Sequence, residues 1–223
     1  MPRLIMFDID GTLTETDDVD TRCYIQAMSE HLGVAIDSDW SRYRHVTDSG
    51  IAAELFEKYG RPLGELDQVR ARFIALITDA LRVVPDGCTQ IAGAADFLRS
   101  LRQTPGLIVG FATGGWSESA RAKLHHAAID INNLPFASAD DAESRIDIMN
   151  ACRNRAEHRG TPISETIYVG DGIWDAQASQ SLGWRFIGIA NGVRAGQLRQ
   201  AGARNVFPDF RDPQAVLAAL GAD

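Results

Sequence analysis

The stretch Leu4-Ile5-Met6-Phe7-Asp8-Ile9-Asp10-Gly11-Thr12-Leu13 decides how the rest of the chain is read. Its first four residues are all apolar, the pattern of a strand buried on both faces of a parallel sheet. Two carboxylates follow at once, where such a strand ends and a loop begins. Similar apolar runs recur at 107–112, 166–169 and 185–189, with weaker ones at 134–137 and 205–207. Helical patterns lie between them at 94–101, 118–127, 145–157, 175–182 and 214–220. Strands alternating with helices of this length predict right-handed crossovers and an α/β fold, a doubly wound parallel sheet of Rossmann-like type.

One stretch breaks the alternation. Between residues 17 and 81 there is no convincing strand but three helical patterns, at 19–32, 51–59 and 62–81. In the third, Leu66, Val69, Phe73, Leu76 and Ala80 recur at spacings of three and four. An all-helical block inserted after the first strand reads as a smaller cap domain. Its hinges are expected near 14–18 and 83–93, where Pro85, Asp86, Gly87 and Gly93 interrupt the pattern. The expected division is a core of residues 1–15 and 86–223 and a helical cap of residues 16–85.

Composition narrows the function. With 223 residues, 45% hydrophobic and 23% charged, the chain can enclose a full core without disulfides or a structural metal. There are 22 Lys+Arg against 30 Asp+Glu, a formal net charge of −8, which gives no general pull toward nucleic acid or anionic lipid. Acidity of this kind suits a cation site built from hard oxygen ligands. Cys23, Cys88 and Cys152 are scattered and form no C-x-x-C pair, so they read as reduced, buried thiols of a cytoplasmic protein. The apolar run at 4–7 is too short for a signal-peptide core or a membrane span. A chain of this size can function as a monomer, and nothing in it specifies an oligomer.

In a doubly wound sheet, ligands bind at the carboxyl ends of the strands. The residues found there are Asp8-Ile9-Asp10-Gly11-Thr12-Leu13, then Thr113-Gly114-Gly115, then Gly170-Asp171-Gly172-Ile173-Trp174-Asp175. Four carboxylates crowded beside a hydroxyl and a Gly-rich turn would repel one another, and a bound cation is the natural counterweight. Oxygen ligands suit Mg²⁺, and a Mg²⁺ that keeps part of its water shell suits a phosphate substrate. No G-x-G-x-x-G fingerprint follows a strand, so no dinucleotide cofactor is expected.

Together these motifs resemble the haloacid dehalogenase superfamily, in its phosphatase and β-phosphoglucomutase-like branch with a helical cap between the first two motifs. The resemblance spans essentially the whole chain. It implies a Mg²⁺-dependent phosphatase, of the phosphoglycolate phosphatase-like type, acting on a small phosphorylated metabolite. By this resemblance Asp8 is the nucleophile that forms an aspartyl-phosphate. Asp10 is the general acid for the leaving oxygen and then the base for water. Two carboxylates two positions apart on an extended chain point to opposite sides, and Gly11 and Thr12 permit the bend that changes this. Mg²⁺ is then expected on the Asp8 carboxylate, the Asp10 backbone carbonyl and Asp171, with Asp175 a direct or water-mediated ligand. Thr113, Gly114 and Gly115 are expected to bind phosphoryl oxygens beside Gly11 and Thr12.

The family also keeps a cation near the nucleophile, usually a lysine. The chain has two lysines, Lys58 and Lys123. Lys123 lies inside the helix after Thr113 and is expected to face outward or along the sheet, so Arg145, which opens the next helix, is assigned the role. In the cap, the polar loop 42–50 occupies the family's specificity region, and Arg44, His45 and Thr47 are candidates to reach the leaving group. Glu15, Thr16, Trp116 and Trp174 are candidates to shape the pocket mouth. That loop matches no signature for phosphoglycolate, sugar phosphate, nucleotide or polyol phosphate.

A phosphosugar mutase would use the same residues, and a non-catalytic binding protein on this fold is a third reading. Dehalogenases and phosphonatases of the superfamily lack the second aspartate of the first motif, so Asp10 argues against both.

Overall fold

A computed structural model describes residues 1–85, 89–157, 160 and 162–221. The N-terminal apolar run forms strand β1 (Arg3–Phe7). It lies inside a parallel sheet with β2 (Leu107–Ala112), β3 (Phe136–Ala137), β4 (Glu165–Gly170), β5 (Arg185–Ile189) and β6 (Asn205–Phe207). The order is β3-β2-β1-β4-β5-β6, so the chain builds outward from β1 to one edge and then from β4 to the other. That reversal opens a crevice at the carboxyl ends of β1 and β4, the place where such sheets bind ligands.

The central strands are buried on both faces, and side chains alternate between the faces along each strand. Ile5 and Phe7 join Val109, Phe111, Ile167 and Val169 on one face. Helices α4 (Ala94–Gln103), α5 (Ser117–His126) and α9 (Pro213–Leu220) cover it with Phe97, Leu101, Leu124 and Leu220. Leu4, Met6 and Tyr168 point to the other face, under Ile148, Met149 and Cys152 of α6 (Arg145–Glu157) and Ala178 of α7 (Ile173–Ser181). Helix α8 (Gly192–Gln200) stands in a stretch where the hydrophobic spacing assigns none. Two glycines and a sparse apolar face, of which Ala195 and Leu198 alone are buried, conceal it.

The inserted stretch holds three helices and, among the described residues, no strand: α1 (Asp17–Leu32), α2 (Asp48–Lys58) and α3 (Leu66–Arg82). Tyr24, Met28, Phe56, Phe73 and Ile77 form its interior, and that interior is continuous with the Leu4–Met6 face of the sheet. The later hinge includes Asp86 and Gly87, which lie outside the described residues, as does Cys88. Cys23 and Cys152 are free and buried. Among the described residues, no helix is long and apolar enough to cross a membrane.

Candidate active site

Asp8 continues the edge of β1, its N–H donating to the Val169 carbonyl at 2.9 Å. The chain then folds back, and the Ile9 carbonyl accepts the N–H groups of Thr12, Leu13 and Thr14 at 3.2, 2.8 and 3.0 Å. Gly11 makes this turn possible. Its φ is +71°, and a Cβ there would stand 2.2 Å from Asp171 Oδ2. The turn gives the two aspartates different company. Asp8 joins the carboxylates at the end of β4, while Asp10 accepts from the Thr16 hydroxyl and from Lys123.

Asp8, Asp171 and Asp175 are all buried, and one oxygen of each lies within 4.8 Å of the others. Burial, followed by mutual repulsion, holds the carboxyls of Asp8 and Asp171 well above the ordinary range. Burial raises that of Asp175 as well, against the opposing pull of Arg145. Asp175 has two tasks: its Oδ2 accepts the Gly172 N–H at 3.0 Å at the start of α7, and its Oδ1 lies 2.9 Å from Arg145 Nη1. Thr12 Oγ1 donates to Asp171 Oδ1 at 3.4 Å. Three buried, mutually repelling hard-oxygen donors fit a divalent cation of the Mg²⁺ type.

Arg145 stands where the sequence assigns it. Its Nη1 lies 3.4 Å from Asp8 Oδ1 and 2.9 Å from Asp175 Oδ1, and the side chain is 11% exposed. The Val46 carbonyl and the Tyr168 hydroxyl accept from the same guanidinium at 3.2 and 3.4 Å. Burial alone would lower its affinity for a proton, but Asp175 and Asp8 raise it above the usual arginine value.

Thr113 is buried at the end of β2, its hydroxyl oxygen accepting the Gly115 N–H at 3.1 Å and leaving the O–H free to donate. A Cβ on Gly114 would stand 2.4 Å from Arg145 Nη2 and 3.0 Å from the Val46 carbonyl. The turn therefore lets the insertion and the guanidinium approach together. Thr113, Gly114 and Gly115 line a cavity of about 280 Å³ with Asp8, Asp10, Asp171, Arg145 and Trp174.

Several of the sequence candidates stand elsewhere than expected. Arg44 is exposed, binds Glu54 through its backbone N–H at 2.6 Å, and is not among the residues lining the cavity; neither is His45. Thr47 lines it, but its hydroxyl is engaged, accepting the Gly50 N–H at 3.0 Å as the cap of α2 and donating to the Glu143 carbonyl at 2.6 Å. Trp116 is not at the mouth. It is 1% exposed and packs between Tyr24 and Phe73, with its indole N–H on Ser49 Oγ at 2.9 Å. Glu15 is exposed and Thr16 buried, and neither lines the cavity; Trp174 does.

The largest departure is Lys123. Its side chain is fully buried and its Nζ donates to Asp10 Oδ2 and Asp20 Oδ1, both at 2.6 Å. Burial works against its charge, but Asp10 and then Asp20 outweigh that and raise its pKa. Burial in turn pushes the Asp20 carboxyl up to about 6, with Lys123 opposing. Lys123 does not face outward because α5 packs on the sheet through Ala120 and Leu124 and also on α3, so both sides are covered. Ser119 and Ala120, small residues one turn before Lys123, are the signal for such a close approach.

Further residues of the site are absent from the sequence reading. Arg194 of α8 donates to Asp171 Oδ2 and to Asp17 Oδ2, the latter at 2.6 Å. Asp48 accepts the Trp116 N–H at 2.8 Å, and its own N–H donates to the Gly114 carbonyl at 2.7 Å.

This arrangement can be set against known proteins. The family model described as haloacid dehalogenase-like hydrolase matches residues 2–183. The chain belongs to that family. A curated relative of this hydrolase, "Putative pyrophosphatase PpaX" of Clostridium perfringens, is 24% identical over 94% of the chain and 92% of its own length. Among solved structures, a hydrolase from Pseudomonas syringae superposes with a TM-score of 0.73 at 20% identity, covering 98% of both chains. CbbY from Rhodobacter sphaeroides in complex with phosphate gives 0.67 at 18% identity, over 95% of this hydrolase and 96% of that chain. At such identities the structural likeness shows a shared fold.

Proposed function

We propose that this hydrolase is a Mg²⁺-dependent phosphatase that cleaves a small phosphomonoester through an aspartyl-phosphate on Asp8. The observation that carries the reading is the buried Asp8–Asp171–Asp175 cluster beside Arg145, at the strand ends and next to the Thr113-Gly114-Gly115 turn. Asp8, Asp171, Asp175 and the Asp10 carbonyl would hold the cation, which supplies positive charge beside the phosphate oxygens.

An Asp8 carboxylate oxygen attacks phosphorus as the bond to the leaving oxygen breaks. Asp10 gives a proton to that oxygen, and the alcohol departs. Water then attacks the aspartyl-phosphate, Asp10 takes its proton, and free phosphate and the Asp8 carboxylate are restored. Arg145, the Thr113 hydroxyl and the Gly114 N–H stabilise the charge on the phosphoryl oxygens. The helices of residues 16–85 act as a cap that walls the leaving-group side.

The cavity walls favour a leaving group with no negative charge of its own. Among the described lining residues the cations are Arg145 and Arg194, and both already face carboxylates. The helical side adds Asp17, Asp18, Asp20 and Asp48 and no cation. A second phosphate, as in pyrophosphate, or the carboxylate of phosphoglycolate would meet repulsion there.

Phosphate release from a panel of uncharged, cationic and anionic phosphomonoesters tests this, with and without Mg²⁺, for wild type and Asp8→Asn. Mg²⁺-dependent release that vanishes in Asp8→Asn and favours the non-anionic esters is expected. Release surviving in Asp8→Asn refutes the nucleophile. Isomerised hexose phosphate without free phosphate would identify a mutase instead.

A further inference from the structure

We infer that Lys123 is a positioning residue that ties the orientation of Asp10 to the first turn of α1; the inference rests on the phosphatase reading above. Two observations carry it. The ammonium donates to Asp10 Oδ2 and Asp20 Oδ1 at equal distances of 2.6 Å, so one cation holds a residue of the strand-end turn and one of the helical insertion. The second Asp10 oxygen accepts from Thr16, the residue preceding α1, so both oxygens answer to the place where the insertion begins.

A purely stabilising role does not account for this choice of residue. A buried ion pair is a weak stabiliser, and apolar groups of similar volume often do as well or better. What a lysine adds is direction: a donor that fixes where a carboxylate points. Asp10 must present one oxygen to the leaving group at a defined place, and small displacements of a proton donor cost rate steeply. With Lys123 shared between Asp10 and Asp20, a shift of α1 is felt by Asp10 without any contact to substrate.

The test uses leaving groups of different need. p-Nitrophenolate departs without a proton, whereas the alkoxide of glycerol 2-phosphate requires one. Lys123→Met is expected to lose about 10- to 100-fold more kcat/KM on glycerol 2-phosphate than on p-nitrophenyl phosphate. Asp20→Asn, which keeps the Lys123–Asp10 contact, is expected to shift that ratio in the same direction by less. In an Asp10→Asn background Lys123→Met should leave the ratio unchanged. Equal losses on both esters, or an undiminished effect in the Asp10→Asn background, would overturn the inference.

Amide hydrogen exchange reads the mechanical link without any turnover. Faster exchange at residues 8–20 in Lys123→Met supports the tie, and unchanged protection refutes it. Failure of the phosphatase reading is seen separately, as turnover that survives Asp8→Asn.

Discussion

Replacing Arg145 with Met keeps an unbranched side chain in place and removes the guanidinium that, among the described residues, faces both Asp8 and Asp175. At the observed 3.4 Å from Asp8 Oδ1, and at an effective permittivity of about 20, a unit charge pair is worth about 5 kcal/mol before any cost of burial. Part of that gross attraction offsets desolvation. Removing a single donor to transition-state charge typically costs about 2.7–4 kcal/mol, or roughly 10²–10³ in kcat. The same change moves the pH profile. Arg145 opposes the burial and the Asp175 charge that raise the Asp8 carboxyl, so without it the Asp8 pKa rises further.

On the proposed mechanism Asp8 attacks only when ionised, and the acid limb of kcat/KM should therefore move to higher pH. Steady-state phosphate release from pH 4 to 9, at fixed Mg²⁺, measures both effects. Breaking a buried pair can cost about 3–5 kcal/mol of stability, so circular dichroism must show the variant folded. A folded Arg145→Met enzyme with wild-type kcat and an unmoved acid limb would refute the reasoning.

Gly11→Ala forces a left-handed residue and places a methyl 2.2 Å from Asp171 Oδ2; Mg²⁺ affinity by calorimetry and the denaturant midpoint should both fall, the strain alone contributing about 1–2 kcal/mol. Phe73→Ala empties the space between Tyr24 and Trp116 and should cost about 3–5 kcal/mol in urea unfolding. Mg²⁺ should raise the melting temperature more at pH 8 than at pH 5. The site carboxyls have folded pKa values above their unfolded ones, so the metal-free protein loses their contribution as pH rises, and the cation competes with protons for them. Asp171→Asn should abolish most of that rise.

What the sequence discloses and what it hides follow from the range of the interactions. Strand ends such as Asp8 and Asp171 are legible because the apolar run and the polar break are adjacent in the chain. Arg145 is legible because the next helix begins with it. Lys123 is misplaced because its partners are 113 and 103 positions away and its helix is covered on a second side by the insertion. Arg194 is hidden in a helix with too few apolar residues to show a period. Arg44 and His45 are candidates because their polar loop occupies the family's specificity region, whereas the residues of that loop that line the cavity are Val46, Thr47 and Asp48.

Trp116 belongs to the loop after β2 by sequence, but its indole sits among Tyr24, Phe73 and Ser49 of the insertion. The boundary drawn along the chain is thus not the boundary drawn through the packing. An exchange of residues 16–85 with those of a relative would leave the incoming helices facing a foreign tryptophan, and the resident ones would lose the anchor they close upon. The unit that travels in such an exchange is discontinuous: the helices together with the loop that carries Trp116. Chimeras cut on that line keep the Thr113-Gly114-Gly115 turn and the helices that face it in register with each other.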